Sequence, residues 1–286
     1  MVEGVTARAL TLSPRTDAKR CTPISQAADE NDLVGFFLGR TEMATFHHSV
    51  KSGKKGSARR HACYIERLGA HGVHSDLIHS GYGNMPAWAE MDPNMFWGMA
   101  DRYERSNGSA YREHEIALPN GLTPQQLIAL AERLVRALAG SKPYHYAIHS
   151  PEGKLEGIHN PHIHLMISDR VPDGLDRSPQ QTFSRFNAKQ PEAGGRRKDS
   201  GGRSPAELSQ QVTATRMLVA QTQNQFLADH GYHERVDHRS LRDQGLKRQP
   251  ERHLGQRFVK DMAHAEREQY VLCRRSLGAA SAFGNR

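Results

Sequence analysis

The sequence predicts an α+β fold, with a central antiparallel sheet flanked by helices. Three observations carry this reading. "PYHYAIHS" and "PHIHLMIS" are strand-like runs joined by the polar stretch "PEGKLEGIHN", which suits an antiparallel pair. "TPQQLIALAERLVRALAG" spaces its apolar residues as a helix does, and "SPAELSQQVTATRMLVAQTQNQFLADHG" reads as a second long helix. Strands and helices are mixed along a chain that shows no internal repeat.

Taken in order, residues 1–42 are polar, lack a clear period and are expected to form a poorly ordered extension. A strand is expected over "MATFHHSV" from Met43, followed by a flexible basic loop, "KSGKKGS". Ser57 is placed to cap the helix "SARRHACYIERLG", which stops at Gly69. Residues 70–92 are rich in Gly, His and Pro and are expected to be loop. "NMFWGMADRYERS" puts Phe96, Met99 and Tyr103 at helical spacing, and the strand "AYREHEIALP" ends at Pro119. The next helix has Thr123 at its cap, Pro124 in its first turn and Gly140 at its end. Beyond the hairpin, residues 187–205 form a low-complexity basic stretch, expected to be mobile. The tail alternates basic turns with a late helix near 259–272. The expected division is an extension over 1–42, a folded domain over 43–257, and a C-terminal helix and tail over 258–286.

Composition narrows the function classes. The 286 residues carry 39 Lys and Arg against 31 Asp and Glu, a formal charge of +8 that suits a polyanionic partner, nucleic acid first. Cys21, Cys63 and Cys273 are odd in number and contain no CxxC pair, which argues against a disulfide framework or zinc ribbon and for a reducing, cytoplasmic setting. No apolar stretch approaches the ~20 residues of a membrane span, and no signal-peptide core opens the chain, so membrane insertion is not expected.

On the strand "HIHLMIS", His162, His164, Met166 and Ser168 share one face. Ile163, Leu165 and Ile167 share the other, which reads as the buried side. On the preceding strand His145, Ala147 and His149 point one way, and His149 ends that strand where His162 begins the next. Pairing sets His149 beside His162 and His164. Three neutral imidazoles leave coordination positions open, as a catalytic metal requires. In a chain of 17 histidines an isolated HxH is more often a surface feature, so it is the position of His149 that gives the pair its meaning.

"NPHIHLMISDR", the upstream "AIHS", "KSGKKGSARRHACYIER", "RYERSNGSAYREHEIALP" and "DHRSLRDQGLKRQPERHLG" together resemble the MobA/MobL mobilisation relaxases, members of the HUH endonucleases. The likeness runs collinearly from about Met43 to about Gly255. It implies a tyrosine nucleophile, which falls on Tyr64, and a divalent cation, Mg2+ or Mn2+, held by His149, His162 and His164. It also implies a supporting acid on a neighbouring strand, matching Glu113 or Glu115, which lie with Ala117 on one strand face. Arg59, Arg60 and Arg67, read as sharing the helix of Tyr64, are expected to assist the phenol and hold DNA. Arg170 is expected to touch a phosphate, and the run Arg196, Arg197 and Lys198 to hold DNA backbone. Trp88 and Trp97 are candidates for base stacking. Two departures stand out: Cys63 occupies a position where relatives commonly carry an acid, and residues 1–42 have no counterpart. The second leads to the expectation that translation starts at Met43 or that the extension is dispensable.

The resemblance implies a DNA relaxase that nicks one strand at a plasmid transfer origin by tyrosine transesterification. It would form a 5′-phosphotyrosyl link and later religate for conjugative mobilisation. Its expected partners are single-stranded origin DNA, accessory mobilisation proteins and a coupling protein of a type IV secretion system. Its expected place is the bacterial cytoplasm, with transfer alongside the DNA. Three other readings share some of these residues: a metal-hydroxide nuclease or phosphoesterase, a rolling-circle replication initiator, and a non-catalytic DNA-binding autoregulator. The order of motifs, with tyrosine before the histidines, disfavours the initiator.

Overall fold

The computed structural model describes residues 46–247, apart from Lys154 and Glu156, and 256–283. The extension expected over 1–42 and the opening of the first strand lie outside the described residues. Five strands form one antiparallel sheet: β1 (His48–Lys54), β2 (Leu77–Gly83), β3 (Ser109–Ala117), β4 (Tyr144–His149) and β5 (His162–Ile167). Their spatial order is β1-β3-β5-β4-β2, so the hairpin strands β4 and β5 sit inside the sheet. Register fixes the histidines: His149 lies opposite His162, and Ala147 opposite His164.

Helices cover both faces. Helices α1 (Ala58–Ile65) and α2 (Pro93–Tyr103) pack Ala62, Ile65, Phe96 and Trp97 against Ala147 and Met166. Helices α3 (Pro124–Ala139) and α5 (Pro205–Asp229) pack Leu130, Leu134 and Phe226 against Ile148, Ile163 and Leu165. The histidine face of β5 is therefore not the open side that period-two alternation suggested; Met166 on that face is fully buried. Short α4 (Pro179–Thr182) follows β5, and α6 (Gln256–Asp261) and α7 (His264–Phe283) end the described chain. The boundary expected at 257/258 falls inside α6.

The expected start and stop signals hold at α3, where Thr123 and Gln126 form a reciprocal capping box and Gly140 takes a positive φ of 54°. Helix α1 is built differently. Ser57 makes no side-chain cap; its hydroxyl donates to the Lys54 carbonyl. Asp101 of α2 supplies the cap instead, accepting from the backbone N–H groups of Gly56, Ala58 and Arg59 at 2.7, 2.9 and 2.9 Å.

Three segments depart from the expectation of loop. "KSGK" continues β1, because Gly53 leaves room for the Tyr111 ring that lies over it. Edge strand β2 crosses the stretch 70–92, where Gly81 and Gly83 lie beneath the Tyr146 and Tyr144 rings, which a Cβ would strike. The basic stretch 187–205 is fastened rather than mobile: Arg170 and Lys198 form a β-bridge, the Val171 N–H donates to the Arg197 carbonyl at 2.9 Å, and Lys198 Nζ donates to the Ser109 carbonyl at 2.7 Å.

Candidate metal and nucleophile site

The hairpin register sets three imidazoles at one end of the sheet. One ring nitrogen from each of His149, His162 and His164 lies within 4.8 Å of the other two. Each ring is oriented by its other nitrogen. His149 Nε2 donates to the Ile65 carbonyl at 2.7 Å, His162 Nδ1 to the Asn160 carbonyl at 2.8 Å, and His164 Nδ1 to Glu113 Oε1 at 2.8 Å. Since each acceptor carries no proton to give, the lone pairs fall on His149 Nδ1, His162 Nε2 and His164 Nε2. Burial lowers the His149 pKa to about 4 and lowers that of His162, outweighing the raising effect of their carbonyl partners. Both rings are neutral at pH 7, the form a cation binds.

Glu113 is hydrogen-bonded to this cluster through His164. Burial by itself would raise its carboxyl, but hydrogen bonds from His164 and His61 outweigh that and hold it well below the usual carboxylate range. His61 Nε2 lies 2.8 Å from the same Oε1, so one oxygen accepts from two imidazoles. This accounts for His61, Glu113 and His164 forming a second close group of ligand-type atoms. Glu115 is on the same strand face but is engaged by Lys51 Nζ at 2.6 Å, which leaves Glu113 as the only one of the two hydrogen-bonded to a ring of the triad.

Tyr64 lies on α1, with its ring among histidines. It stacks on His61 at 5.8 Å between centroids and meets His71 and His164 edge-on at 5.2 and 6.4 Å. The residue is 36% exposed, so the phenol is open to a ligand while its ring is fixed on several sides. The structure thus brings Tyr64, Glu113, His149, His162 and His164 together.

The basic residues divide. Arg59 and Arg60 are exposed on α1, and Arg197 is exposed in its loop. Arg67 is not on the helix: it lies past its end, with its side chain turned into the site and paired with Asp76. Arg170 is 4% exposed, its guanidinium spent on Glu104 and on the carbonyls of Phe183, Ser184 and Arg196. It braces the loop and is not presented to a phosphate. Arg196 is buried too, and Lys198 is half-buried, 3.4 Å from Glu104. Of the tryptophans, Trp97 is fully buried, while Trp88 is partly buried and stacks on Phe96 at 5.7 Å between centroids.

Sequence reasoning missed His61 and Asp76. His61 precedes Tyr64 by three residues, one helical turn, which puts both on one face of α1; that spacing was the available signal. Asp76 carried none, since the strand β2 that follows it was itself not anticipated. Among the described residues no helix is long and apolar enough to cross a membrane.

Comparison with known proteins follows the same residues. The chain is 43% identical over 210 residues to the 43 kDa relaxation protein of Salmonella typhimurium, covering 72% of this chain and 57% of that protein. It is 41% identical over 223 residues to Mobilization protein A of Escherichia coli, covering 76% of this chain and 30% of the relative. Mobilization protein MobL of Acidithiobacillus ferridurans is 28% identical over 208 residues, covering 64% of this chain and 50% of the relative. The matched region thus spans about half the length of these relatives, or less. A solved structure described as "Molecular Basis of Vancomycin Resistance Transfer in Staphylococcus aureus" aligns at 19% identity with a TM-score of 0.49, over 69% of this chain and all of that one. The sequence profile of the MobA/MobL family matches residues 56–264, the segment that contains every residue of the site, and the chain belongs to the MobA/MobL family.

Proposed function

We propose that this chain is a plasmid mobilisation relaxase that cuts single-stranded DNA by transesterification on Tyr64. One observation carries the reading: the partly exposed phenol ring of Tyr64 packs edge-on against His164, a member of a trio of imidazoles each oriented by its own hydrogen bond. The names of its relatives, a relaxation protein and mobilization proteins, support the same reading.

In this reading Tyr64 Oη attacks the phosphorus of one phosphodiester. An O–P bond forms to the 5′ side of the cut, the bond to the 3′ oxygen breaks, and the phenolic proton is taken up as the 3′-hydroxyl is released. Reversal by a 3′-hydroxyl restores the strand, since a phenol is a good leaving group. His149, His162 and His164 would hold a divalent cation, Mn2+ or Mg2+, through their three lone pairs. Bound there, such an ion supplies positive charge at the phosphate oxygens, where negative charge builds. Glu113 fixes the His164 tautomer, and His61 holds one face of the Tyr64 ring. Arg59, Arg60 and Arg197 supply exposed positive charge for the DNA backbone. The substrate is the transfer-origin strand of a plasmid, with accessory mobilisation proteins and a type IV coupling protein as partners, acting in the bacterial cytoplasm.

The test is incubation with Mn2+ and labelled single-stranded oligonucleotides tiled across the transfer origin, resolved on a denaturing protein gel. The wild-type chain gains the mass of the 5′-phosphoryl fragment, and Tyr64→Phe does not. Cleavage that survives in Tyr64→Phe would assign the reaction to activated water and sink the proposal.

A further inference from the structure

Arg67 touches the nucleophile, a triad histidine and a buried-edge carboxylate at once. Its guanidinium carbon lies 4.9 Å from the centre of the Tyr64 ring, and Nη1 donates to the Tyr64 carbonyl at 3.3 Å. Nε and Nη2 fork onto Asp76 Oδ1 and Oδ2 at 2.9 and 2.7 Å. The same Nη2 donates to His149 Nδ1 at 3.2 Å. The side chain is 9% exposed, so these contacts are made largely out of solvent.

The backbone at this point argues that the side chain is wanted here. Helix α1 ends in a paired turn, with Leu68 N–H donating to the Cys63 carbonyl at 2.9 Å and Arg67 N–H to the Tyr64 carbonyl at 3.1 Å. That turn needs a left-handed residue, usually glycine, yet Arg67 holds it at φ 57°. An arginine kept in a glycine position is strained, and here the fork to Asp76 offsets that cost.

His149 has a single lone pair. Its Nε2–H is committed to the Ile65 carbonyl, so the pair lies on Nδ1, where Arg67 Nη2 already donates. A cation and Arg67 want the same electrons.

We propose that the Arg67–Asp76 pair is a positioning device: it holds the Tyr64 ring against the imidazole cluster and competes with a bound cation for the His149 lone pair. A cation arriving at Nδ1 displaces only the Nη2 hydrogen bond to His149. The fork to Asp76 and the packing on the Tyr64 ring remain, so the nucleophile keeps its place as the site fills. The part that concerns Tyr64 rests on the relaxase reading above; the part that concerns the cation does not.

Arg67→Gly separates these effects, because glycine takes the left-handed turn without strain, and a melting curve on the same variant checks that it is folded. Two quantities are read on the full chain: Mn2+ affinity by calorimetry without DNA, and the rate of oligonucleotide adduct formation at saturating Mn2+. Removing the competing donor and its charge tightens Mn2+ about threefold to tenfold. Without the guanidinium over the Tyr64 ring, adduct formation slows about tenfold or more. Either half failing overturns the inference, and a variant that loses both functions together with its melting temperature assigns Arg67 a merely structural role. A wild-type chain that forms no Tyr64 adduct refutes the relaxase reading, while the Mn2+ titration still decides the competition at His149.

Discussion

Glu113 Oε1 accepts hydrogen bonds from His164 Nδ1 and His61 Nε2 at the same distance, 2.8 Å. A single oxygen therefore orients one imidazole of the triad and one that stacks on Tyr64. Glu113→Gln keeps the volume and removes the charge, so it cannot accept from both rings equally well. The expected outcome is a 10- to 100-fold loss of Mn2+ affinity by calorimetry, the size typical of an orienting partner. Unchanged affinity would leave Glu113 as a packing residue only. Since its folded carboxyl is held low, Glu113 contributes stability above about pH 4.3 that fades as the medium becomes more acid.

How much of this site could be read in advance follows from distance along the chain. The triad was legible because β4 and β5 form a hairpin: once "AIHS" and "PHIH" pair, His149 has to face His162. The support from Glu113 needed the additional fact that β3 pairs with β5, which the family resemblance supplied and periodicity did not. Edge strand β2 was illegible because its glycines, required by the tyrosine rings above them, read as turn signals. The basic run at Arg196 to Lys198 read as a mobile stretch holding DNA backbone because the partners of Lys198, Glu104 and the Ser109 carbonyl, are distant in sequence. Local pattern found what neighbouring segments make together and missed what distant ones make.

Arg170 and the pair Arg59 and Arg60 should separate stability from DNA binding. Among the described residues, Arg170→Ala leaves Glu104, 2% exposed, with only the half-buried Lys198 as a paired cation, and is expected to cost about 3–5 kcal/mol in urea unfolding. Where the variant remains folded, the salt dependence of its single-stranded DNA binding should match the wild type. Arg59→Ala and Arg60→Ala do the reverse: stability within about 0.5 kcal/mol, and a salt slope shallower by about 0.7 for each phosphate no longer held. An Arg170 variant with normal stability and a shallower slope would return that residue to the DNA surface.

Asp101 gives a test of how α1 is begun. Three backbone N–H groups at the start of the helix that carries Tyr64 depend on this one carboxylate from α2. Asp101→Ala is expected to cost about 2 kcal/mol by urea unfolding. Asp101→Asn retains an acceptor and should recover roughly half of that loss. Ser57→Ala, which removes no capping bond to α1, should change stability by less than about 0.5 kcal/mol. If Ser57→Ala proves the costlier of the two alanine variants, the cap belongs to Ser57 after all.

His48 and His114 form a buried pair on the sheet face opposite the triad, Nε2 to Nδ1 at 3.0 Å. Burial, then the charge of Arg216, lowers the His48 pKa to about 4, and burial, then His48 itself, lowers that of His114 to about 3. An unfolded histidine takes up its proton near pH 6.5. Between that value and the folded ones the unfolded chain binds more protons, so stability is complete above pH 6.5 and declines as pH falls through the window. Each fully neutral histidine contributes up to about 1.4 kcal/mol of this decline per pH unit. The wild-type chain should therefore lose more than about 2 kcal/mol between pH 7.5 and 5.5, because His149 and His162 act in the same direction. The diagnostic quantity is the difference from His114→Gln, which does not titrate and still offers a hydrogen bond to His48. Urea unfolding at the two pH values should show a decline smaller by about 1 kcal/mol in that variant. A decline equal to the wild type's would mean that His114 is already protonated in the folded chain and that its burial does not set its charge.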